Sequence, residues 1–431
     1  MCTFRITNYE TDPEGELNRR LKPGGPDLSN TIELNGLYFT HHLLSITGEF
    51  TPQPIIKDNY LFMLMGEIYN YDKSLPSDIY FVIDEYLKYG NDFIHRMDGE
   101  FLIIIYDIKQ NLINIFTDIW RTKQVYLRKN EDYFSISTLD RKNITLKHNS
   151  HYTFDPIKLK LEHVNDSVHN FNLDQFKTNL DDAISSLENA VLKKYQPNSP
   201  LLLSGGVDSI AAAICLTKHK KHFNSITLTH TAKEDPISLR QILRYSRKYN
   251  NSHIIDYYCN DYNKEIGRIQ KELFNSRVFL SGTGPDEQEN YLAKQPVWSK
   301  ARRELASKFD NYAAPNLKFT SWPEDLSSIF PWQHFYEGMN KRITNKQETM
   351  AINRSLESRG IYRDKYYAQE WLNLTSDIKN LEYKVIQKTY IRNHGLTPTK
   401  VIAGVPFGPY MDPYTQKIIH DNDWWESQYD I

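Results

Sequence analysis

With 431 residues the chain exceeds one ordinary core, and roughly two or three domains are expected. A net charge of −2 leaves no basic footprint for nucleic acid or an anionic membrane, and three cysteines (Cys2, Cys215, Cys259) are too few for a disulfide framework. Apolar content of 40% with 13% aromatics argues against disorder. With no apolar run of about 18 residues and no apolar N-terminal segment, a soluble, cytoplasmic protein is expected, without membrane span or signal peptide.

Cys2, Phe4 and Ile6 alternate, so a strand is expected at the N-terminus. Removal of Met1 would leave Cys2 with a thiol and a free α-amine, and that amine, with an ordinary pKa of about 8, is a local base for the thiol. The competing reading is a small residue buried in a first strand. Gly25-Pro26-Asp27 follows as a turn. His41 to Ile46 precedes Gln53-Pro54, and Tyr60 to Leu64 reads as a strand leading into Met65-Gly66-Glu67-Ile68-Tyr69-Asn70-Tyr71. Ser77-Asp78 opens a helix, with Ser77 as N-cap. Ile103 to Asp107 and Leu112 to Asp118 read as a hairpin turning near Lys109 to Asn111. Residues from about Asp155 to Asn172 read as a connection, and a helix is expected from about Leu173 to Tyr195.

The stretch Leu201 to Ser209 stands out. An apolar run is followed by Ser204-Gly205-Gly206-Val207-Asp208-Ser209 and then by an apolar helix from Ile210. Strand, glycine turn and helix N-terminus together make an anion site, because free backbone N–H groups and the positive end of the helix dipole meet there. Asp208 would repel a phosphate directly, so its expected use is to hold a Mg²⁺ ion that a pyrophosphate shares. The glycine spacing is not that of a Walker loop, and no lysine follows. Further strands are expected at Phe223 to His230 and Ile254 to Tyr258, with a helix over Ile237 to Tyr249; strand–helix alternation implies a parallel, doubly wound sheet. Val278 to Ser281 leads into a second glycine turn, Gly282-Thr283-Gly284-Pro285-Asp286-Glu287. A region from about Trp332 to Leu374 reads as helical.

In this order and spacing, the strings from Cys2 to Asp118 resemble the class II (N-terminal nucleophile) glutamine amidotransferase domain. Ser204 to Ser209 resembles the pyrophosphate loop of N-type ATP pyrophosphatases, and the whole chain resembles the glutamine-dependent asparagine synthetases. The resemblance implies two domains: an Ntn-type antiparallel αββα sandwich over residues 1–165, and an α/β parallel-sheet PP-loop ATP pyrophosphatase with a helical C-terminal part over residues 170–431. It implies Cys2 as nucleophile, Gly66 as oxyanion donor, and Asp78 with Glu67 as glutamine-binding residues. It implies ATP and pyrophosphate on Leu203, Ser204, Gly205, Gly206, Asp208, Ser209, Leu228, Ser281 and Gly282, and Mg²⁺ on Asp208 and Asp286. Glu357 and Arg359 resemble part of the family's E-x-R-x-P-x-L-D string and become candidate substrate residues. Lys388 and Arg392 resemble its K-x-x-[LI]-R string, although a solvated charged face reads equally well.

The implied activity is an ATP-dependent amide ligase using glutamine or ammonia. It adenylates a carboxylate such as aspartate and releases AMP and pyrophosphate; a homodimer fits the family. Several residues depart from the pattern. Leu43 replaces the arginine that clamps the glutamine carboxylate, and Met65 replaces the asparagine oxyanion donor; neither side chain can do that work. His41 or His42 is the nearest candidate for the missing cation. Arg121 and Gln124 replace a glycine and a proline. Thr283 replaces a glutamate, Ile361 and Arg363 replace the proline and leucine of the second string, and Gly404 aligns with a catalytic lysine, leaving Lys400 as the nearby cation. Two alternatives therefore stay open: an amide-forming enzyme of the beta-lactam synthetase or lasso-cyclase kind, and a catalytically impaired nucleotide-binding relative.

Overall fold

Antiparallel strands build the first half of the protein. The computed structural model describes residues 2–9, 16–139, 144–165, 167–204, 206–228, 253–256, 276–289, 333–398, 410–411 and 418–419. Strands β1 (Thr3–Thr7), β2 (Leu28–Leu34) and β3 (Leu37–Leu43) join β8 (Tyr126–Lys129), β9 (Phe134–Ser137) and β10 (Ile144–Thr145) in one sheet, ordered β10-β8-β9-β1-β3-β2. A second sheet is ordered β12-β11-β7-β6-β5-β4, from β4 (Ile55–Lys57), β5 (Tyr60–Ile68), β6 (Gly99–Asp107), β7 (Leu112–Thr117), β11 (His151–Asp155) and β12 (Lys160–Asn165). Every pairing in both is antiparallel.

Alternate side chains of the two sheets meet in one core: Phe4, Ile6 and Phe39 from the first, Leu61, Met63, Met65, Leu102 and Ile104 from the second. The opposite face of the second sheet (Phe62, Leu64, Ile103, Ile105) packs on Ile79, Val82 and Ile83 of the helix Asp78–Tyr89. A short helix, Glu16–Leu21, accepts a hydrogen bond from Thr3 Oγ1 at Leu21 O, on the outer side of β1. The layers are therefore helix, sheet, sheet, short helix. The hairpin read at Ile103 to Asp118 forms with Asp107 opposite Leu112. Ser77 sits at the N-cap position of its helix, but its side chain makes no capping bond.

Two expectations change at the end of this half. The connection expected over Asp155 to Asn172 contains the edge strand β12, almost wholly exposed, so no apolar alternation marks it. The helix expected from Leu173 begins only at Asp181 and runs to Lys194. The preceding stretch is held elsewhere, because the N–H groups of Phe176 and Lys177 both donate to Asn373 O.

The second half is built on a parallel sheet, ordered β15-β14-β13-β16-β17, from β13 (Pro200–Leu202), β14 (Asn224–Leu228), β15 (His253–Asp256), β16 (Val278–Ser281) and β17 (Glu357–Gly360). The helix Val207–Lys218 is apolar on every face from Ile210 to Leu216 and buried through Ile210–Thr217, as a helix segment enclosed on every side must be. The helical region read over Trp332 to Leu374 divides. The helices Gln333–Tyr336 and Gly338–Asn353 are followed by Ser355, whose φ of 58° is left-handed; β17 comes next, then the helix Lys365–Asn373. Glu357 and Arg359 thus lie on a buried strand. Its polar Glu-Ser-Arg-Gly sequence hides it from any hydrophobic pattern. The helix read over Ile237 to Tyr249, Gly205, Cys259, Lys400 and Gly404 lie outside the described residues.

Candidate functional site

Two clusters occupy the positions singled out by sequence, one in each half. The first surrounds Cys2. Its Sγ accepts from Leu44 N–H at 3.3 Å and faces Leu44 O at 3.7 Å. Burial pushes the thiol up to about 11. Gly66 lies on β5 at φ 110°, and a Cβ there would sit 1.9 Å from Glu100 O, so only glycine fits. Its neighbour Met65 is fully buried in the apolar core that also holds Cys2, Leu43 and Leu44. Methionine and leucine fill the positions of the expected polar groups with hydrocarbon.

Asp78 is tied to β5 by a bond from Ile68 N–H at 3.0 Å, and burial, reinforced by the charge of Glu67, pushes its carboxyl up to about 8. Glu67 accepts from Thr47 Oγ1 at 2.6 and 2.8 Å and from Arg359 Nη2 at 3.2 Å. The histidines do not supply the missing cation. Burial holds His41 down at about 3 and His42 at about 4, so both are neutral near pH 7. His42 Nδ1 is already engaged with Ser29 Oγ at 2.8 Å.

The second cluster lies at the carboxyl ends of β13 and β16, neighbouring parallel strands, which is where ligands of open α/β sheets bind. Ser204 N–H donates to Ser209 Oγ at 3.2 Å, and Gly206 N–H to Ser204 Oγ at 3.3 Å. Leu203 N–H reaches across to Ile226 O at 2.8 Å, and Leu228 ends the adjoining strand β14. A Cβ on Gly282 would stand 3.1 Å from Ser209 N, so the second glycine turn packs directly against the first. The two turns bring Asp208 and Asp286 to one point.

Lys384 occupies that point. It forms ion pairs with Asp208 and, at 3.1 Å, with Asp286 Oδ2, while Tyr383 Oη donates to Asp286 Oδ1 at 2.5 Å. Burial alone would lower the pKa of Lys384, but the two aspartates outweigh it and hold it well above the ordinary value. Sequence reasoning passed over this residue. Its signal was a lysine immediately before the apolar helix Val385–Asn393, at a left-handed φ of 55°. Lys388 and Arg392 are elsewhere, paired with Glu382 at that helix's surface. Among the described residues no group of three or more metal-ligating side chains occurs. A divalent ion at Asp208 and Asp286 would therefore take its remaining ligands from water or phosphate oxygens, as Mg²⁺ ordinarily does.

Glu357 and Arg359 belong to neither turn. Arg359 pairs with Glu357 at 2.8 Å and reaches Glu67 of the first half, so both stand at the junction of the two halves. More polar contacts cross there. Lys194 pairs with Glu100 at 2.7 Å and Lys123 with Glu348 at 3.3 Å. The two unexpected residues of the 118–126 loop join them: Arg121 Nη2 donates to Asn345 Oδ1 at 3.2 Å, and Gln124 Nε2 to Asn345 O at 2.8 Å.

Residues 1–161 match the family model of the glutamine amidotransferase domain. The N-terminal sandwich is a class II glutamine amidotransferase domain. The chain is related to asparagine synthetase [glutamine-hydrolyzing] 1 of Saccharomyces cerevisiae, 29% identical over 49% of this chain, and to asparagine synthetase [glutamine-hydrolyzing] 1 of Arabidopsis thaliana, 25% identical over 47% of it. It spans 41% and 39% of the length of those two relatives. Among solved structures, that of the allosteric regulatory enzyme of purine biosynthesis matches 59% of this chain and 80% of its own at 12% identity, with a TM-score of 0.33. No described helix is long and apolar enough to cross a membrane.

Proposed function

We propose that the protein is an ATP-dependent amide ligase of the asparagine synthetase type. Its second half would adenylate a carboxylate, and nitrogen from glutamine or ammonia would displace AMP. The observation that carries this reading is the meeting of Asp208 and Asp286, from two glycine turns at adjacent strand ends, in a chain that begins with a glutamine amidotransferase domain. Separate carboxylates converging at the start of the helix Val207–Lys218 can share a phosphate-bound cation in addition to their pairing with Lys384.

In this reading Ser204, Gly206 and Ser209 hold the β- and γ-phosphates with backbone and hydroxyl donors, and Asp208 and Asp286 hold Mg²⁺. The bound ion would neutralise charge on the pyrophosphate leaving group. Lys384 keeps the two aspartates together and adds a positive charge facing the departing pyrophosphate. In the N-terminal domain Cys2 would attack the glutamine side-chain amide, with Gly66 N–H facing the oxyanion, Asp78 facing the substrate ammonium and Glu67 beside it. A cytoplasmic location and aspartate as acceptor belong to the same proposal.

Incubation with ATP and Mg²⁺, glutamine or ammonium, and a panel of carboxylic acids, read by mass spectrometry, tests it. AMP together with a new amide is expected, and Asp208→Asn should abolish both. A cyclised product would move the protein to the internal-amide enzymes. AMP formation unchanged in Asp208→Asn would refute the site.

A further inference from the structure

Arg363 stands one turn beyond β17, where the asparagine synthetase pattern has leucine. Its side chain is only 4% exposed. Nε donates to Asn340 Oδ1 at 3.2 Å, Nη1 to Gln347 Oε1 at 3.3 Å and Nη2 to Thr283 Oγ1 at 3.4 Å. All three acceptors are neutral. A guanidinium has more N–H donors than these contacts use. Among the described residues no ion pair includes Arg363; Glu100, Glu287, Glu348 and Asp118 act on it only from further off. Two of those acids are already neutralised, Glu100 by Lys194 and Glu348 by Lys123.

A buried cation without an ionic partner is an expensive arrangement. The fold nevertheless makes room for it. A Cβ on Gly360 would come within 2.5 Å of Arg363 Nη1, so the glycine leaves the space that the guanidinium fills. Charge-assisted bonds to an anion run about 2.7–2.9 Å, and those of Arg363 are longer. The fork is therefore held in place without being saturated. It is also reachable, because Thr283 and Gln347 are only half-buried. Thr283 lies on the second glycine turn, between Ser281 and Asp286, and it is the position where the pattern has glutamate. A negative charge is absent there, and a positive one stands beside it.

We propose that Arg363, with Thr283 and Gln347, forms a subsite for a carboxylate that the acceptor carries in addition to the one it presents for activation. The inference rests on the ligase reading for the word acceptor, but not for the binding itself. A planar fork with two N–H groups to spare matches a carboxylate, and the Thr283 hydroxyl, which donates to Gln347 Oε1 at 3.3 Å, can turn from that long bond to donate to the same oxygen.

Calorimetric titration of the full chain, with and without ATP, tests it with three probes: succinate, propionate and inorganic phosphate. Succinate and propionate differ by one carboxylate. Succinate should bind roughly tenfold or more tightly than propionate, the value of charge-assisted bonds to one group. Arg363→Gln should remove that preference. So should Gly360→Ala, whose added methyl displaces the guanidinium while leaving the strand backbone in an ordinary conformation, and which keeps the test sound if Arg363→Gln does not fold. Equal binding of the two acids by the native protein, under both conditions, overturns the proposal. A preference that survives in a folded variant overturns it too. Phosphate that binds more tightly than succinate and competes with it overturns the assignment to a carboxylate. Succinate preference without AMP formation would leave the subsite standing while the ligase reading falls. AMP formation without succinate preference would do the reverse.

Discussion

Replacing Lys384 by methionine keeps the stem of the side chain and removes the ammonium that neutralises both Asp208 and Asp286. The Lys384 side chain is 5% exposed, that of Asp208 17% and that of Asp286 27%. Deleting one partner of a fully buried pair costs about 3–5 kcal/mol, because a charge is left without compensation. The partial exposure of Asp286 screens some of this, so a loss of about 2–4 kcal/mol is expected. Two carboxylates that share a site repel, and at least one pKa rises in the variant. A carboxyl with a raised folded pKa contributes stability below its unfolded pKa and loses it as pH rises, so the variant should regain stability on acidification toward pH 5. Magnesium should restore it as well. An ion present at about 100 times its Kd returns roughly 2.7 kcal/mol, while the parent, with Lys384 in place, should gain less. The assay is urea unfolding of parent and Lys384→Met at pH 5 and 7.5, with and without MgCl₂. A variant as stable as the parent, or a magnesium shift equal in the two, would refute the argument that Lys384 and a divalent ion neutralise the same two aspartates.

Amide formation should run faster with saturating ammonium than with glutamine, because Met65 cannot donate to the oxyanion and losing such a donor costs about 10²–10³ in rate; efficient glutamine-driven turnover in the unmodified protein would contradict this. The KM for glutamine should fall as pH rises toward and through about 8, where the raised Asp78 carboxyl ionises and can meet the substrate ammonium; Asp78→Asn should flatten that profile, and an equal slope in both proteins would count against the contact. Burial pushes the Glu289 carboxyl up to about 8 despite bonds to Tyr367 and Gln387. Its favourable protonated form is fully present below the unfolded pKa near 4.5 and lost as pH rises through 8, so Glu289→Gln should gain stability relative to the parent between pH 7 and 9, measured by urea midpoint; a constant difference across that range would disprove it.

What was legible in sequence was short-range. Ser204 to Ser209 and Ser281 to Asp286 announce themselves because a strand, a glycine turn and a helix start need particular residues within about ten positions. Gly66 and the continuous apolar runs of β5 and β6 are readable for the same reason. Lys384 was not, because its role depends on two aspartates brought to it from about a hundred or more residues away, and no local pattern records such a contact. β17 escapes a sequence reading because it is an edge strand paired with β16, and its buried charges are satisfied by each other and by Glu67 across the junction, so it lacks the apolar signature of a buried strand. The neutrality of His41 and His42 is likewise a consequence of burial. Two adjacent histidines in a sequence say nothing about how dry their surroundings are.

Four of the residues that depart from the asparagine synthetase pattern, Arg121, Gln124, Thr283 and Arg363, lie together. Arg121 and Gln124 from the amidotransferase domain both grip Asn345. Between them in sequence, Lys123 passes so close to Gly66 that a Cβ there would stand 3.0 Å from its Cε. The same lysine pairs with Glu348 on the helix Gly338–Asn353. The adjacent Gln347 donates to Ser281 Oγ at 2.8 Å and accepts from Arg363 and Thr283. One helix thus reaches Gly66 of β5 through Glu348 and Lys123, and the second glycine turn through Gln347. Buried ion pairs of this kind add little net stability, because desolvation cancels most of the attraction. What they do fix is register, since Lys123 and Glu348 can keep their charges buried only when the two halves sit in one relative position. The substitutions at 121, 124, 283 and 363 are consistent with one another in these terms. Those at 121, 124 and 363 put polar side chains where the pattern has small or apolar ones, that at 283 puts a neutral hydroxyl where it has a carboxylate, and all four lie along a single seam between the two candidate sites.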